Sequence, residues 1–452
     1  MEQFCEEVKE SLQLYFPFKE KGIEMNPEIE WLYRKFDNIF PIKYIPDFES
    51  LVNFSTRDFY PIHRWFFYRE GYSPKLVEKL LDKERIIKGK RIIDPFCGGG
   101  TTLLASAQKG IESTGFEINR FSAFTSKIKT RVYEDADIKD IETLVNRMKE
   151  SKPNKYSLPL PSISILEKLF DNDVLEEIMN YKEHIFSIEK EKYRDFLFFG
   201  WLSILESVSN YRKGGNGLKR RKIDNKKLFR EAFSKKLDEM FSDIKFLNQK
   251  GFYQRFREPA IYEDTALSLN DLIPNNEFDM AIFSPPYLNC FDYCEVYKVE
   301  LWMGDFVKSY EDLRGLRKRT LTSHLNSAIR NDFSGLPDEI LRIVNILKER
   351  DLWDKRIPSM ILGYFRDMKK VLSNLSNILK SGASCIIVVG NSAYGNMVIP
   401  TDVFIGVLGE ETGFVCEGIG IARRNETSSQ QQKNLGITKD FLRESLIFLR
   451  KK

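Results

Sequence analysis

Asp94-Pro95-Phe96-Cys97-Gly98-Gly99-Gly100-Thr101-Thr102 is the stretch on which the fold turns. Before it, Lys90-Arg91-Ile92-Ile93 is a short apolar run that reads as a buried strand. After it, Thr101 to Lys109 reads as a helix, and Ser113-Thr114-Gly115-Phe116-Glu117 as a second strand. Strand, glycine loop, helix and strand open a doubly wound α/β sheet, in which ligands bind at the carboxyl ends of strands. The glycines let backbone approach a ligand closely, and the helix N-terminus presents free N–H groups. Glu117 closes the next strand, placed to accept hydrogen bonds from ribose hydroxyls. The loop is not Gly-x-x-x-x-Gly-Lys-Ser/Thr, which disfavours a nucleotide-phosphate site. By pattern alone it serves a dinucleotide, a nucleotide, or nothing beyond a tight turn.

Working outward, residues 1–52 read as an N-terminal helical segment and 53–133 as the first part of the α/β core. Within the latter, Ser73 suits a helix N-cap with Pro74 at the first helical position. Residues 134–255 change to long helical stretches rich in Lys, Glu, Phe and Leu, a helical insertion or separate module. Lys213-Gly214-Gly215-Asn216-Gly217 interrupts it as a flexible loop. The core resumes over 256–293 with strands at Ala260 to Asp264 and Asp279 to Phe283. A helical, basic excursion follows over 294–358. Residues 359–452 end the core, with helical spacing from Ile361 to Leu379, a strand at Cys385 to Val389, and strands near Phe414 and Ser445 to Leu449. The expected sheet has about seven strands.

Ser284-Pro285-Pro286-Tyr287 follows the apolar run Asp279 to Phe283, so it too falls at the carboxyl edge of the sheet. Two prolines fix the local backbone and leave carbonyls free to accept. An exocyclic amine on cytosine or adenine is a poor nucleophile because its lone pair is delocalised into the ring. Acceptors that grip its hydrogens, here the Ser284 hydroxyl and the Pro285 carbonyl, favour a pyramidal nitrogen. Tyr287 offers a flat face for a base rotated out of a duplex. The plain alternative is a proline-stiffened strand end with a core tyrosine.

Together the two motifs resemble those of the DNA amino-methyltransferases of restriction-modification type. The resemblance implies a Rossmann-like seven-stranded methyltransferase sheet and S-adenosylmethionine as cofactor. The loop Asp94, Pro95, Phe96, Gly98, Gly100, Thr101 and Thr102 would wrap its methionine part. Glu117 would hold the ribose, Asp264 the adenine, and Tyr72 and Ser73 would line the same site. It also implies direct attack by the amine on the sulfonium methyl, in double-stranded DNA with the target base flipped. Ser at the first catalytic position is the form associated with N4-cytosine enzymes; N6-adenine is the alternative. A restriction endonuclease partner encoded nearby belongs to the same picture. The cofactor motif precedes the catalytic one, whereas many N4-cytosine enzymes are permuted, which leaves open the segment that reads DNA.

Two segments compete for that role. Within the basic stretch Arg212 to Lys236, Tyr211 to Lys222 combines glycine flexibility with Arg212, Lys213, Lys219, Arg220, Arg221 and Lys222 for phosphate. Asn289 to Arg330, basic from Lys308 onward, follows the catalytic loop immediately and includes Tyr293, Tyr297, Trp302, Arg314, Arg317, Lys318, Arg319 and His324, and its position beside the target favours it for contacts there. Each also reads as a solvated helix face, and Trp302 reads as core rather than as a base wedge. The net charge of +4, from 70 Lys+Arg against 66 Asp+Glu, is modest for a nucleic-acid binder. Hydrophobic residues at 42% argue for a folded chain. No apolar run is long enough for a bilayer, and Met1 to Gln13 is too charged for a signal peptide, so the expected setting is cytoplasmic. The 6 Cys include one Cys-x3-Cys pair, Cys290 and Cys294, without a second pair, so no metal is expected. His63, His184 and His324 lack ligand-like spacing. A cytosine-C5 enzyme needs a Pro-Cys nucleophile, and the chain contains no such dipeptide. An RNA or tRNA methyltransferase, a protein-glutamine methyltransferase and a non-catalytic DNA-binding subunit are the remaining readings.

Overall fold

The computed structural model describes residues 27–36, 38–53, 60–215, 217–221, 228–330, 332–424 and 441–452. Met1 to Gln13, Cys5, Asn216 and Lys222 lie outside the described residues. The strands along the chain are β1 (Ile42–Tyr44), β2 (Arg91–Asp94), β3 (Glu112–Phe116), β4 (Tyr211–Gly214), β5 (Gly217–Arg220) and β6 (Ala260–Tyr262). They continue with β7 (Phe278–Phe283), β8 (Leu379–Gly390), β9 (Ser392–Tyr394), β10 (Met397–Ile399), β11 (Phe414–Arg424) and β12 (Arg443–Lys451). Eight build the central sheet in the order β1-β11-β12-β8-β7-β2-β3-β6. All its pairings are parallel except those of β12, which runs against both β8 and β11. The chain therefore has the expected α/β, Rossmann-like sheet.

The expected strands are all present, and β1 adds an eighth at the edge. The segment 1–52 is therefore not helical throughout: Pro27–Phe36 is a helix, but Ile42–Tyr44 pairs with the open edge of β11. A three-residue strand is too short to declare itself by alternation; a partner with unpaired backbone groups decides it.

Burial on both faces explains why the central strands are continuous apolar runs. Ile93, Ala281, Phe283, Cys385, Ile387 and Val389 face a layer that contains the helices Ile357–Ile378 and Thr401–Glu411. Their neighbours Ile92, Met280, Ile282, Ile386 and Val388 face the helix Pro74–Lys83 through Leu76, Val77, Leu80 and Leu81.

The insertion holds Asp135–Glu150, Asn172–Phe186, Glu191–Val208 and Phe229–Gln249 as its long helices. It is not set apart from the core. One hydrophobic cluster joins Phe199, Trp201 and Phe233 of the insertion to Phe121 of the core and to Tyr297, Leu301 and Trp302 of the excursion. Trp302 is core, 1% exposed. The segment expected as a flexible loop is an antiparallel hairpin instead, with Tyr211 opposite Arg220 and Gly214 opposite Gly217. Gly215, which follows β4, has φ +57°, the left-handed conformation that tight hairpin turns use. Among the described residues no helix is long and apolar enough to cross a membrane.

Candidate active site

Register gathers the site. Asp94 pairs with Gly115, Phe116 with Tyr262, and Ile93 with Ala281, so β2, β3, β6 and β7 end at one edge. The residues that follow those ends surround a cleft of about 910 Å³, a volume that includes its open mouth. Asp94, Pro95, Phe96, Gly98 and Thr101 line it from the glycine loop, Glu117 and Asp264 from the next two strand ends, and Ser284 and Pro286 from β7.

Asp94 is held from two sides. Its Oδ1 accepts from Phe96 N at 3.0 Å, which turns the loop, and its Oδ2 accepts from the Tyr72 hydroxyl at 3.2 Å. Tyr72 also meets the Thr102 hydroxyl. Burial pushes the Asp94 carboxyl up to about 6, with Thr102, Phe96 and Tyr72 holding it back. Glu117 accepts from Gly98 N at 2.9 Å and from Asn119 N at 2.7 Å, and burial raises it to about 7. The second acid thus fastens the loop to β3 while keeping lone pairs for a ligand.

Gly100 has φ +81°, and a Cβ there would lie 2.9 Å from Ser126 Oγ and 3.1 Å from Ser126 Cα. Ser126 in turn donates to Gly98 O at 2.7 Å, so the helix Arg120–Lys129 clamps the loop from behind. Gly100→Ala should lower stability by about 1–3 kcal/mol through backbone strain and overpacking. A urea-unfolding midpoint equal to wild type would show the loop is looser than this clamp requires.

At the other end of the cleft, Tyr287 does not present a free hydroxyl. It donates to Glu444 Oε1, and Arg423 Nε holds Glu444 Oε2 at 2.6 Å. Burial first, and Glu444 second, push the Tyr287 phenol well above its ordinary pKa, while a hydrogen bond with the Ser284 side chain opposes the shift. The Tyr287 proton is committed to Glu444, so the phenol oxygen is free to accept from Ser284. That leaves the Ser284 lone pairs to accept from a ligand.

No family model matches the chain. Type II methyltransferase M.AvaI of Nostoc sp. (strain PCC 7120 / SAG 25.82 / UTEX 2576) is 29% identical over 85% of this chain and 85% of its own length. Type II methyltransferase M.BsoBI of Geobacillus stearothermophilus is 27% identical over 85% of this chain and 84% of its own. Type II methyltransferase M.MvaI of Kocuria varians is 22% identical over 79% and 83%. The chain is a relative of the Type II DNA methyltransferases. Among solved structures, TrmN from Thermus thermophilus matches at 9% identity and TM-score 0.29, over 84% of this chain and 49% of that one. A geranyl diphosphate methyltransferase in complex with GPP and sinefungin matches at 8% and 0.32, over 94% and 100%. At these scores the likeness adds nothing to the strand order.

The methyl donor of such an enzyme is S-adenosylmethionine, and the donor set fits it. Asp94 and Glu117 offer carboxylates to a cationic, hydroxyl-bearing ligand. Asn119 gives its Oδ1 to the helix cap at Phe121 N and Ser122 N, which leaves its buried Nδ2 on the cleft wall without a protein partner.

Several expected site residues are placed differently. Ser73 accepts from Lys75 N at 3.3 Å and caps the helix Pro74–Lys83; it does not line the cleft. Gly100, Thr102, Pro285 and Tyr287 stand behind the lining and support it. Asp264 lines the cleft but accepts from Arg319 Nη2 at 2.6 Å, so Arg319 reaches back toward the cofactor end. Arg317 is mostly buried against Asp292 and Glu295, at 2.7 and 2.9 Å, which removes it from phosphate contact. Lys213 is also buried, 4% exposed, against Glu206 and Glu300. Both reversals have one cause: a charge enclosed by carboxylates has no free field for an outside anion. Arg212, Lys219, Arg220 and Arg314 are exposed.

The cleft also uses residues that the motifs do not reach. Tyr68 lies over the loop, where a Cβ on Gly98 would meet its ring at 2.9 Å. Its hydroxyl meets Ser122 Oγ at 3.0 Å, and its ring stacks with Tyr293 at 6.2 Å and Tyr297 at 5.0 Å. Glu70 lines the cleft in a left-handed conformation, φ +57°, unusual for a side chain of its size. Its side chain is open to solvent, yet the walls around it, and Glu444, push its carboxyl upward. His324, assigned no role from sequence, lines the cleft as well. In the sequence, the aromatic run Trp65-Phe66-Phe67-Tyr68 just ahead of the first core strand is a hint of this wall.

Proposed function

We propose that the protein transfers a methyl group from S-adenosylmethionine to the exocyclic N4 of cytosine in double-stranded DNA, with the target base rotated into the cleft. The observation that carries the reading is a single cleft lined by both Asp94 with its glycine loop and Ser284. When bound, the cofactor supplies a methyl group activated by a positively charged sulfur. The chain's own contribution is placement and polarity. Asp94 and Glu117 anchor the donor, and the clamped loop fixes its depth in the cleft. Ser284, oriented by Tyr287 and Glu444, accepts a hydrogen of the target amine and turns the nitrogen lone pair outward. The nitrogen becomes acidic only as it gains the methyl, so no strong base need act first. Proximity of the two sites converts the encounter into an intramolecular one.

In this reading Tyr287 is a positioning residue, and the flat faces available to a base are those of Tyr293 and Tyr68, which line the cleft. Arg314, exposed on the helix Tyr310–Arg319, is a phosphate contact next to the target. Cytosine over adenine rests on Ser284 at the first position of the motif. Action in the cytoplasm, with an endonuclease of the same sequence specificity as partner, completes the picture drawn from the Type II relatives.

The test is to methylate unmodified DNA with the purified chain, digest it to nucleosides and map the modified positions at single-molecule resolution. N4-methylcytosine within one recurring sequence is expected. N6-methyladenine would overturn the cytosine assignment and keep the amino-methyltransferase; no modified base would sink both.

A further inference from the structure

The β4–β5 hairpin carries a charge arrangement that serves the isolated chain badly. Register places Arg212 directly opposite Lys219, both exposed, so two cations share one face of a two-stranded ribbon. Like charges in directly opposed positions are destabilising. Arg220 is exposed at the next position. Among the described residues none of the three has an acidic partner, although ion pairs are frequent elsewhere in the chain.

The residue between them is treated in the opposite way. Alternation turns Lys213 inward, where its ammonium lies between Glu300 and Glu206, the latter at 3.1 Å. Burial opposes its charge, but Glu300 and Glu206 outweigh that and keep the ammonium's pKa raised. Lys213 N also donates to Glu206 Oε1 at 2.9 Å. Glu300 belongs to the helix Lys298–Met303, in the excursion that follows the catalytic loop. Arg69, beside the cleft residues Tyr68 and Glu70, donates to Lys213 O at 2.6 Å. β5 packs against the helix Tyr293–Val296, whose first residue lines the cleft. Gly214 leaves room for the Lys219 stem, since a Cβ there would lie 2.8 Å from Lys219 Cδ. The ribbon is thus pinned from three elements beside the cleft, with an uncompensated cationic face outward.

We infer that the β4–β5 ribbon grips the sugar-phosphate backbone of the DNA duplex beside the cleft, through the outward pair Arg212 and Lys219. This deepens the proposed function and rests on it. A polyanion is the ligand class that turns the Arg212–Lys219 repulsion into attraction, and phosphates spaced along a strand offer one partner to each cation. The ribbon contributes affinity and register on the duplex rather than reading of bases.

The test uses the full chain and a fluorescein-labelled mixed-sequence DNA duplex, titrated at a series of NaCl concentrations. The Arg212→Gln/Lys219→Gln variant should weaken binding at low salt. The slope of log affinity against log salt should flatten by about 0.9 for each phosphate no longer neutralised, or about 1.8 for the pair. Without DNA the variant should melt no lower than wild type, because a repulsive pair is gone, and should bind S-adenosylmethionine as wild type does. An unchanged slope with unchanged affinity overturns the ribbon assignment while leaving the proposed function intact. Wild-type failure to bind or methylate any duplex overturns the DNA reading and the ribbon with it. Tighter binding of a double-stranded RNA, abolished in the same variant, transfers the ribbon to RNA and overturns the DNA assignment.

Discussion

Ser284→Ala is expected to slow single-turnover methyl transfer by roughly 10²- to 10³-fold, the usual cost of deleting one preorganised polar contact to a reacting group. S-adenosylmethionine affinity should stay near wild type, because Asp94, the glycine loop and Glu117 are untouched. The structure sharpens this expectation by giving Ser284 a support. Beside it Tyr287 is committed to Glu444, itself held by Arg423, so the phenol oxygen can accept from the Ser284 hydroxyl and orient it. Tyr287→Phe keeps the ring and removes only the hydroxyl that bonds Glu444 and would orient Ser284. It should therefore lower the methyl-transfer rate constant while leaving DNA affinity unchanged. If Tyr287 instead served as a stacking face, the phenylalanine variant would be as fast as wild type, and the support would be wrong. Wild-type rates in Ser284→Ala would remove Ser284 from the reaction altogether.

Asp94→Asn should weaken S-adenosylmethionine binding by about 10- to 100-fold, the loss of a charge-assisted hydrogen bond in a buried site. The pH dependence carries a sign that can be checked. Burial raises the Asp94 carboxyl to about 6 and the Glu117 carboxyl to about 7. Below those values both acids are protonated, which suits the empty site because no charge is then enclosed. A cationic ligand needs the ionised forms, so protons compete with it. Affinity should fall as pH drops through about 7 and again through about 6, and be greatest near pH 7.5, where an α-ammonium still keeps its proton. Calorimetric titrations across that range should show the lower step vanish in Asp94→Asn and the upper step persist. An affinity that is flat across the range in the wild-type chain would remove both acids from the donor site.

The folded chain shows which positions local signals can reach. Asp94, Gly98, Glu117 and Ser284 sit beside apolar strands whose ends must meet at one sheet edge, so position along the chain nearly fixes position in space. The β4–β5 hairpin shows the reverse case. Its glycines read as a break in a helical region, and only pairing of Tyr211 with Arg220 and Arg212 with Lys219 turns that break into a ribbon. β1 depends in the same way on the open edge of β11.

Sequence by itself determined the α/β sheet, the strand ends that carry the glycine loop and the Ser-Pro-Pro-Tyr element, and the chemistry those residue types permit. Two-sided burial and backbone geometry are local constraints, and they leave a periodic trace along the chain. Tertiary structure alone decided which charges remain available. Lys213 and Arg317 carry the same formal charge as Arg212 and Arg314, and nothing near them in sequence marks the difference. Carboxylates brought from distant segments, Glu300 to Lys213 and Asp292 to Arg317, enclose the first two and leave the others open to solvent. The same long-range packing commits the Tyr287 hydroxyl to Glu444, 157 residues away along the chain. Electrostatic partnership falls off with distance in space and is blind to separation in sequence, which is why it had to wait for the fold.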